Sequence, residues 1–560
     1  EAGATVELEV PAQGLHVLCR ADLDGQWRGP PVGEGPGASW RGSWLQEPAS
    51  FQMETSSFMG REAAKATAQW RLAGPGELRL TLGFREAPAC TLRLRRASRE
   101  GPRPIAWLRA RGASLATAEE RLQALTQMAR MVTDGLSEIS AAQAQDRVVP
   151  ANFGGTATML AGACRFYSSL VPQWMTPEKL EDTCPEALKA GVEADWCVVN
   201  EPKGVGVVVV PWNAPVTLAC IPALGLLASG NRVAIKMAEL TPAVAATCRR
   251  LFHRYLGGLV WVEEGGKEAV ERLIDEGADH LVFTGGGEIA KVVAARCARM
   301  LTPVTLELGG KSPVFVDRGL DDDMLDSVVR EILETKVAKT GQFCCAHDYA
   351  LVHREIHAAF CERLRRAIEG LAERRNVPMI GRRHYEAVKR KLEEAAAEAL
   401  PPLEGAHVPD DTAMTLPMTG LLAPAKGSSV LTTEIFGPLL PILQVEGVEE
   451  AIAIVNAVPT GKALIAYCYS QDPASQDAFL HGTSSGNLAV NAGPQRFHLN
   501  FNVGFGGVGP SGSGVHMWGR EALREFSNRR HVLRARGGFA RSFFSGPPAP
   551  APAPACAPAA

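Results

Sequence analysis

The chain lacks any Cys-x-x-Cys pair among its thirteen cysteines, which removes the ligand spacing of a zinc ribbon or a redox-active thiol pair. No metal site is expected. The chain also lacks an excess of either charge: 58 Lys and Arg stand against 61 Asp and Glu, a formal net charge of -3. Both signs are interspersed, and without a basic stripe no field points to nucleic acid or an acidic membrane. The opening residues carry no apolar run behind a basic start, so no secretory signal lies in them. They begin at Glu1 rather than Met, which leaves an organelle address open. The longest apolar stretch, Val205 to Leu227, has the length of a membrane span. Pro211, Asn213 and Pro215 interrupt it, so we expect a buried strand followed by a buried helix.

What is present is the composition of a soluble globular protein, 46% apolar and 21% charged. At 560 residues it should divide into two to four domains. Thiols scattered over a long chain lead us to expect a reduced, intracellular, cytoplasmic protein.

Residues 1–104 read as a β-rich extension. Val6, Leu8 and Val10 alternate, as do Leu78, Leu80, Leu82 and Phe84, and Arg85 to Ala89 reads as a hairpin loop before Cys90 to Arg96. Trp27, Trp40, Trp44 and Trp70 offer either a ligand platform or packing, and packing is the commoner use. Thr117-Ala118-Glu119-Glu120 is a capping box that opens a helix. From Gly204 strand and helix alternate: strands at 207–210, 233–236, 259–262, 280–284 and 304–308, with helices at 216–228, 242–255, 267–274 and 288–300. That order implies a mostly parallel sheet with helices on both faces. A second alternation, 312–469, with helices at 354–371 and 383–399, reads as a separate α/β lobe. The Pro/Ala-rich end, 536–560, reads as a disordered tail.

Several residues could carry chemistry. Cys344 follows Thr340-Gly341-Gln342-Phe343 and precedes the apolar run Tyr349 to Val352, so it sits on a loop entering a strand. A cysteine acts as nucleophile only when it ionises. Spacing alone does not separate Cys344 from Cys345. Asn213, between two prolines, has an amide that can donate to an oxyanion, although an Asn beside Pro more often makes a turn. Glu307 ends an apolar strand, where a carboxylate is either hydrogen-bonded or functional. Gly285-Gly286-Gly287 lies between strand and helix, an arrangement that cradles phosphate. Lys236 ends a strand and Glu239 follows, where a carboxylate can hold ribose hydroxyls.

In order, the chain carries Pro-Trp-Asn-x-Pro (211–215), Gly-Asn-x-Val-x-x-Lys-x-x-Glu (230–239), Phe-Thr-Gly (283–285) and Glu-Leu-Gly-Gly-Lys (307–311). Gly-Gln-x-Cys (341–344), Glu-Ile-Phe-Gly-Pro (434–438) and Phe-Gly-Gly-x-Gly-x-Ser-Gly (505–512) follow. This series resembles the aldehyde dehydrogenase superfamily over residues 105 to 535. Ala346 to Tyr349 and Phe526 to Arg530 are similar to its class-3-like branch, which includes coniferyl-aldehyde-type enzymes.

The resemblance implies an α/β fold in parts. A Rossmann-type NAD(P)-binding domain would span 105–309, with arm strands near 196–205. A catalytic domain would span 310–484, with an oligomerisation arm and C-terminal segment at 485–535. It implies Cys344 as nucleophile, Glu307 as general base, and Asn213 with the Cys344 backbone N–H as oxyanion hole. Trp212, Lys236, Glu239, Gly285, Glu434 and Phe436 would bind NAD or NADP. The expected reaction is oxidation of a medium-to-long aliphatic or aromatic aldehyde through a cysteine thiohemiacetal and thioester, by a homodimer. Two rival readings are a non-catalytic member of the fold and an enzyme that passes its thioester to coenzyme A. Departures from the pattern are Lys339 for a usual Asn, Phe343 for a smaller residue, Ala290 for a glycine and His347 for a proline.

Overall fold

The computed structural model describes backbone strands between residues 4 and 95. It also describes residues 103–536 except 113–114, 149–152, 184–192, 372–376, 396, 404–407 and 515–516. The tryptophan platform and the Pro/Ala tail beyond 536 lie outside the described residues. The chain divides into two compact units, Glu1–Arg103 and Pro104–Ala560.

The described strands of the first unit all pair antiparallel. Ala4–Val10 pairs with Leu15–Ala21. Ser39–Arg41, Ser50–Ser56, Lys65–Gly74, Glu77–Phe84 and Ala87–Arg95 form a five-stranded meander in chain order. The last connection is shorter than the loop expected at 85–89, because pairing already begins at Ala87 with Phe84.

The second unit holds two seven-stranded sheets. In the first, parallel strands lie in the order Val260–Glu263, Arg232–Lys236, Val205–Val209, His280–Thr284 and Val304–Glu307. The order turns back between Val205–Val209 and His280–Thr284, and such a switch leaves a crevice at the strands' carboxyl ends. Two short antiparallel strands, Val508–Gly509 and Gly512–Ser513, close the edge beside Glu307. The three inner strands, Arg232–Lys236, Val205–Val209 and His280–Thr284, are buried at every residue, as expected of a parallel sheet covered on both faces. The apolar run after the first strand is the helix Pro215–Ala228, buried along almost its whole length and opened by a proline at its first turn. No described helix is long and apolar enough to cross a membrane.

The second sheet runs Glu398–Leu400, Thr419–Leu422, Leu439–Val445, Tyr349–His353, Pro313–Val316, Ala463–Tyr469 and Ser485–Val490. All neighbours are parallel except the first pair. Two expectations need correcting here. The helix expected over 383–399 ends at Glu394, and Ala399 lies in an edge strand paired with Leu421. Its Ala/Glu-rich sequence has helical propensity, but the open sheet edge takes the backbone instead. Of the segment 485–535, expected to hold the arm, Ser485–Val490 belongs to this sheet instead. The separate three-stranded sheet is made of Glu178–Leu180, Ala194–Pro202 and Ser527–Ala535.

Candidate active site

The carboxyl ends of the first sheet's strands gather the predicted residues. Trp212 and Asn213 follow Val205–Val209, Lys236 ends its strand, Gly285 follows His280–Thr284, and Glu307 ends Val304–Glu307. Cys344 arrives from the other lobe, on the turn between the helix Asp322–Val337 and the strand Tyr349–His353.

That turn is held in a costly backbone. Lys339 and Thr340 both have positive φ, 53° and 56°, and Gly341 follows at 69°. Thr340 is β-branched, for which the left-handed region is a true outlier. Gly341 must be glycine, because a Cβ there would collide with the Gly437 carbonyl. Gln342 braces the loop: its amide donates to the Lys339 carbonyl at 2.9 Å and its oxygen accepts from Ile380 N at 3.1 Å. The Thr340 hydroxyl donates to the Val377 carbonyl at 2.7 Å. Strain kept in place by so many bonds is typical of a functional turn.

The structure separates the two cysteines that spacing could not. Cys345 is 0% exposed, whereas Cys344 is partly exposed. Their sulfurs lie 3.8 Å apart, and Cys345 Sγ is 3.8 Å from His498 Nε2. The Cys345 thiol, as hydrogen-bond partner, holds Cys344 below the usual thiol range against the effect of burial, and the Lys339 charge acts in the same direction. Cys345 is pushed well above that range by the same contact and by burial. The Asn213 amide donates to the Gln342 carbonyl at 3.3 Å, which places it against the Cys344 turn with a second amide hydrogen to spare.

Glu307 is 2% exposed, and neither carboxylate oxygen meets a hydrogen-bond partner at bonding geometry. Burial, and then the Cys344 thiolate, push it well above the usual carboxylate range, against a smaller opposing effect of the Gly507 backbone N–H. An orphaned carboxyl beside a partly exposed thiol is a place for water and proton transfer. Glu434 is raised to about 8, by burial first and then by Asp348. Its approach requires Gly309, where a Cβ would overlap its carboxylate. Beneath it, Asp348 is paired with Lys311 and lies 3.6 Å from Lys336. Asp348 also accepts from Ile435 N at 3.2 Å, and Lys336 donates to the Gly437 carbonyl at 3.3 Å. This buried cluster fixes the 434–437 segment. Phe436 sits there at φ 52°, its ring edge-on to Trp212 at 5.6 Å.

The crevice fits a dinucleotide. A Cβ at Gly286 or Gly287 would meet nothing within 4 Å, so the start of the helix Gly287–Arg299 faces open space. Lys236 pairs with Glu239 at 2.8 Å, leaving the Glu239 side chain 60% exposed at the strand end. Ala290, where a glycine was expected, is buried one turn inside this helix.

Three features escaped sequence reasoning. The Asp348 cluster joins residues far apart in the chain. Of its members, Lys311 stands in the Glu-Leu-Gly-Gly-Lys segment and Asp348 in the Ala-His-Asp-Tyr segment. Gln342, visible in the Gly-Gln-x-Cys segment, serves as a brace. An aromatic wall was not foreseen as a unit, although Phe343 and Phe505 stand in the quoted segments: His498 lies 6.0 Å from Phe343, 5.0 Å from Phe505 and 5.7 Å from Trp518, and Phe501 stacks on Trp518. His347, where a proline was expected, is structural. It is 2.8 Å from the Thr335 hydroxyl, lies tilted against the Tyr467 ring at 4.0 Å, and is held neutral by burial, its pKa lowered to about 3.

Residues 105–532 match the aldehyde dehydrogenase family. The chain is 34% identical to the probable coniferyl aldehyde dehydrogenase of Caulobacter vibrioides over 75% of its own length and 87% of that protein. It is 32% identical to the dimeric NADP-preferring aldehyde dehydrogenase of Rattus norvegicus, over 74% and 89%. Among solved structures it is similar to substrate-bound AldH of Staphylococcus aureus. There the TM-score is 0.68 and the identity 26%, covering 77% of this chain and 92% of that one. With most of its length so matched, this chain belongs to the aldehyde dehydrogenase family and is an NAD(P)-dependent oxidoreductase.

Proposed function

We propose that the protein oxidises a medium-to-long aliphatic or aromatic aldehyde to the carboxylic acid, with Cys344 as nucleophile and Glu307 as base. The observation that carries this is the pairing of a partly exposed, acid-shifted Cys344 with the orphaned carboxyl of Glu307. The Cys344 thiolate attacks the aldehyde carbon and forms a C–S bond. The carbonyl oxygen takes the charge. The free amide hydrogen of Asn213 and the Cys344 backbone N–H hold that oxyanion. A bound nicotinamide supplies the hydride acceptor. Glu307 then takes a proton from water, and the water displaces Cys344 from its thioester.

Burial raises Glu307, but so does the Cys344 thiolate. Acylation of Cys344 consumes that charge, so the base ionises more readily when it is needed. A carboxylate that activates water favours hydrolysis over transfer to coenzyme A. Glu434, on its braced segment, would hold the nicotinamide ribose, with Phe436 and Trp212 beside the ring. Lys236 and Glu239 would hold the adenosine ribose, and Gly285 would admit the pyrophosphate. The aromatic wall of Phe343, His498, Phe501, Phe505 and Trp518 suits an apolar aldehyde. The three-stranded sheet with Ser527–Ala535 at one edge, where Leu533 is exposed, suits pairing of two copies.

The test is formation of reduced nicotinamide from hexanal and coniferaldehyde with NAD+ and with NADP+. Turnover of either aldehyde supports the reading, and the ratio of cofactor rates reads the preference at Glu239. No turnover of any aldehyde by folded protein contradicts it. Asn213→Ala should lower kcat by about 10²–10³ with little change in thiol alkylation, since it removes one oxyanion donor.

A further inference from the structure

Lys339 occupies the position where the family resemblance places an asparagine. Asparagine tolerates left-handed backbone better than lysine does. Here Lys339 nevertheless has φ 53° and is pinned at both ends. Its carbonyl accepts from Gln342 N at 3.1 Å and from the Gln342 amide at 2.9 Å. Its Nζ donates to the Asn213 backbone carbonyl at 2.8 Å and lies 5.8 Å from the Phe343 ring centre, on the ring face. The ammonium is therefore clamped between the oxyanion residue and the residue next to the nucleophile.

Cys345 touches the Cys344 sulfur at 3.8 Å, and the other groups whose charge bears on Cys344 are Tyr467, Glu307, Glu434 and Lys339. Four of these are acids, and each would oppose a thiolate if ionised. His498, behind Cys345, is held neutral by burial, its pKa lowered to about 4, so it brings no charge at neutral pH. Lys311 and Lys336 are committed to Asp348. Among the described residues, Lys339 is the cation set against Cys344.

We infer that Lys339, from its clamp on the Asn213 carbonyl, is a positioning residue that favours the thiolate form of Cys344. This deepens the proposed reaction and rests on Cys344 being its nucleophile. Burial lowers Lys339 itself to about 8, so its charge acts near and below neutral pH and fades as the solution becomes alkaline. The benefit should be largest on the acid side of the thiol titration.

The test is the pH dependence of iodoacetamide alkylation and of thiolate ultraviolet absorbance. It uses the full chain and Lys339→Met, Lys339→Asn and Lys339→Arg, with Cys344→Ala as the blank. Lys339→Asn suits the left-handed backbone, so it guards against a variant that fails to fold. Met and Asn should carry about tenfold less thiolate near neutral pH and converge on the parent protein in alkali. Arg, permanently charged, should keep most of it. Coincident curves for the parent, Met and Asn would overturn the inference, as would an equal loss in Arg, which would mean geometry rather than charge. The titration needs no aldehyde. A shift without any aldehyde turnover would sink the reaction and leave the charge role standing; turnover without a shift would sink only the role of Lys339.

Discussion

Cys344→Ala should abolish aldehyde oxidation, lowering kcat/KM by about 10⁴-fold or more, while Cys345→Ala should keep most of it. The two residues are neighbours, so the contrast is demanding. Cys345 is fully buried, and its sulfur faces His498 rather than the open side of the turn. Its thiol is held protonated well past the ordinary range by Cys344 and by burial. Loss of its hydrogen bond to Cys344 should raise the Cys344 titration, so Cys345→Ala should be slower mainly at acid pH and near parental in alkali. Steady-state rates across pH for both variants, with circular dichroism to confirm folding, check this. Equal loss in both variants at every pH would assign the chemistry to the pair or to neither.

Glu307→Gln should lower turnover by about 10²–10⁴-fold, yet leave one rapid round of nicotinamide reduction per site. The first half-reaction needs the thiolate and the oxyanion hole, and only the second needs the base. The same substitution should make the fold more stable, and the sign follows from linkage. The folded Glu307 keeps its proton well above the usual carboxylate range. Below about pH 4 both folded and unfolded carboxyls are protonated, and Glu307 contributes no pH dependence. As pH rises through the ordinary carboxylate value, the unfolded chain releases its proton while the folded one holds it. Stability therefore falls until the folded value is reached. Glutamine cannot ionise, so the gain in Tm should be largest at neutral or higher pH and shrink in acid. A variant that loses both the rapid round and stability would show Glu307 to be a structural group.

Much of the scaffold was legible because its signals are local. The capping box closes as expected, with Glu120 N donating to the Thr117 hydroxyl at 3.2 Å and Thr117 N to the Glu120 carboxylate at 2.9 Å. The strand His280–Thr284 lies where its apolar run placed it. The strand Ser527–Ala535 was missed because it is exposed along most of its length. Asn528, Arg529, Arg530 and Arg534 give no alternation, and its partner Ala194–Pro202 is over three hundred residues away. At the site, the resemblance named the candidate residues, but spacing could not rank Cys344 over Cys345. Burial sets the two thiols apart, and burial depends on the whole fold. Lys339 was visible as a departure. Its reach to Asn213 depends on two residues at positive φ, which residue type alone does not announce.

The central claim is a thioester on Cys344 that Glu307 clears. The most direct measurement is intact-protein and peptide mass spectrometry of Glu307→Gln after exposure to hexanal with NAD+ or NADP+, quenched in acid. The account predicts one acyl group per chain, on the peptide bearing Cys344, absent without cofactor and absent in the Cys344→Ala double variant. An acyl group on Cys345, or none at all after a full round of nicotinamide reduction, would contradict it.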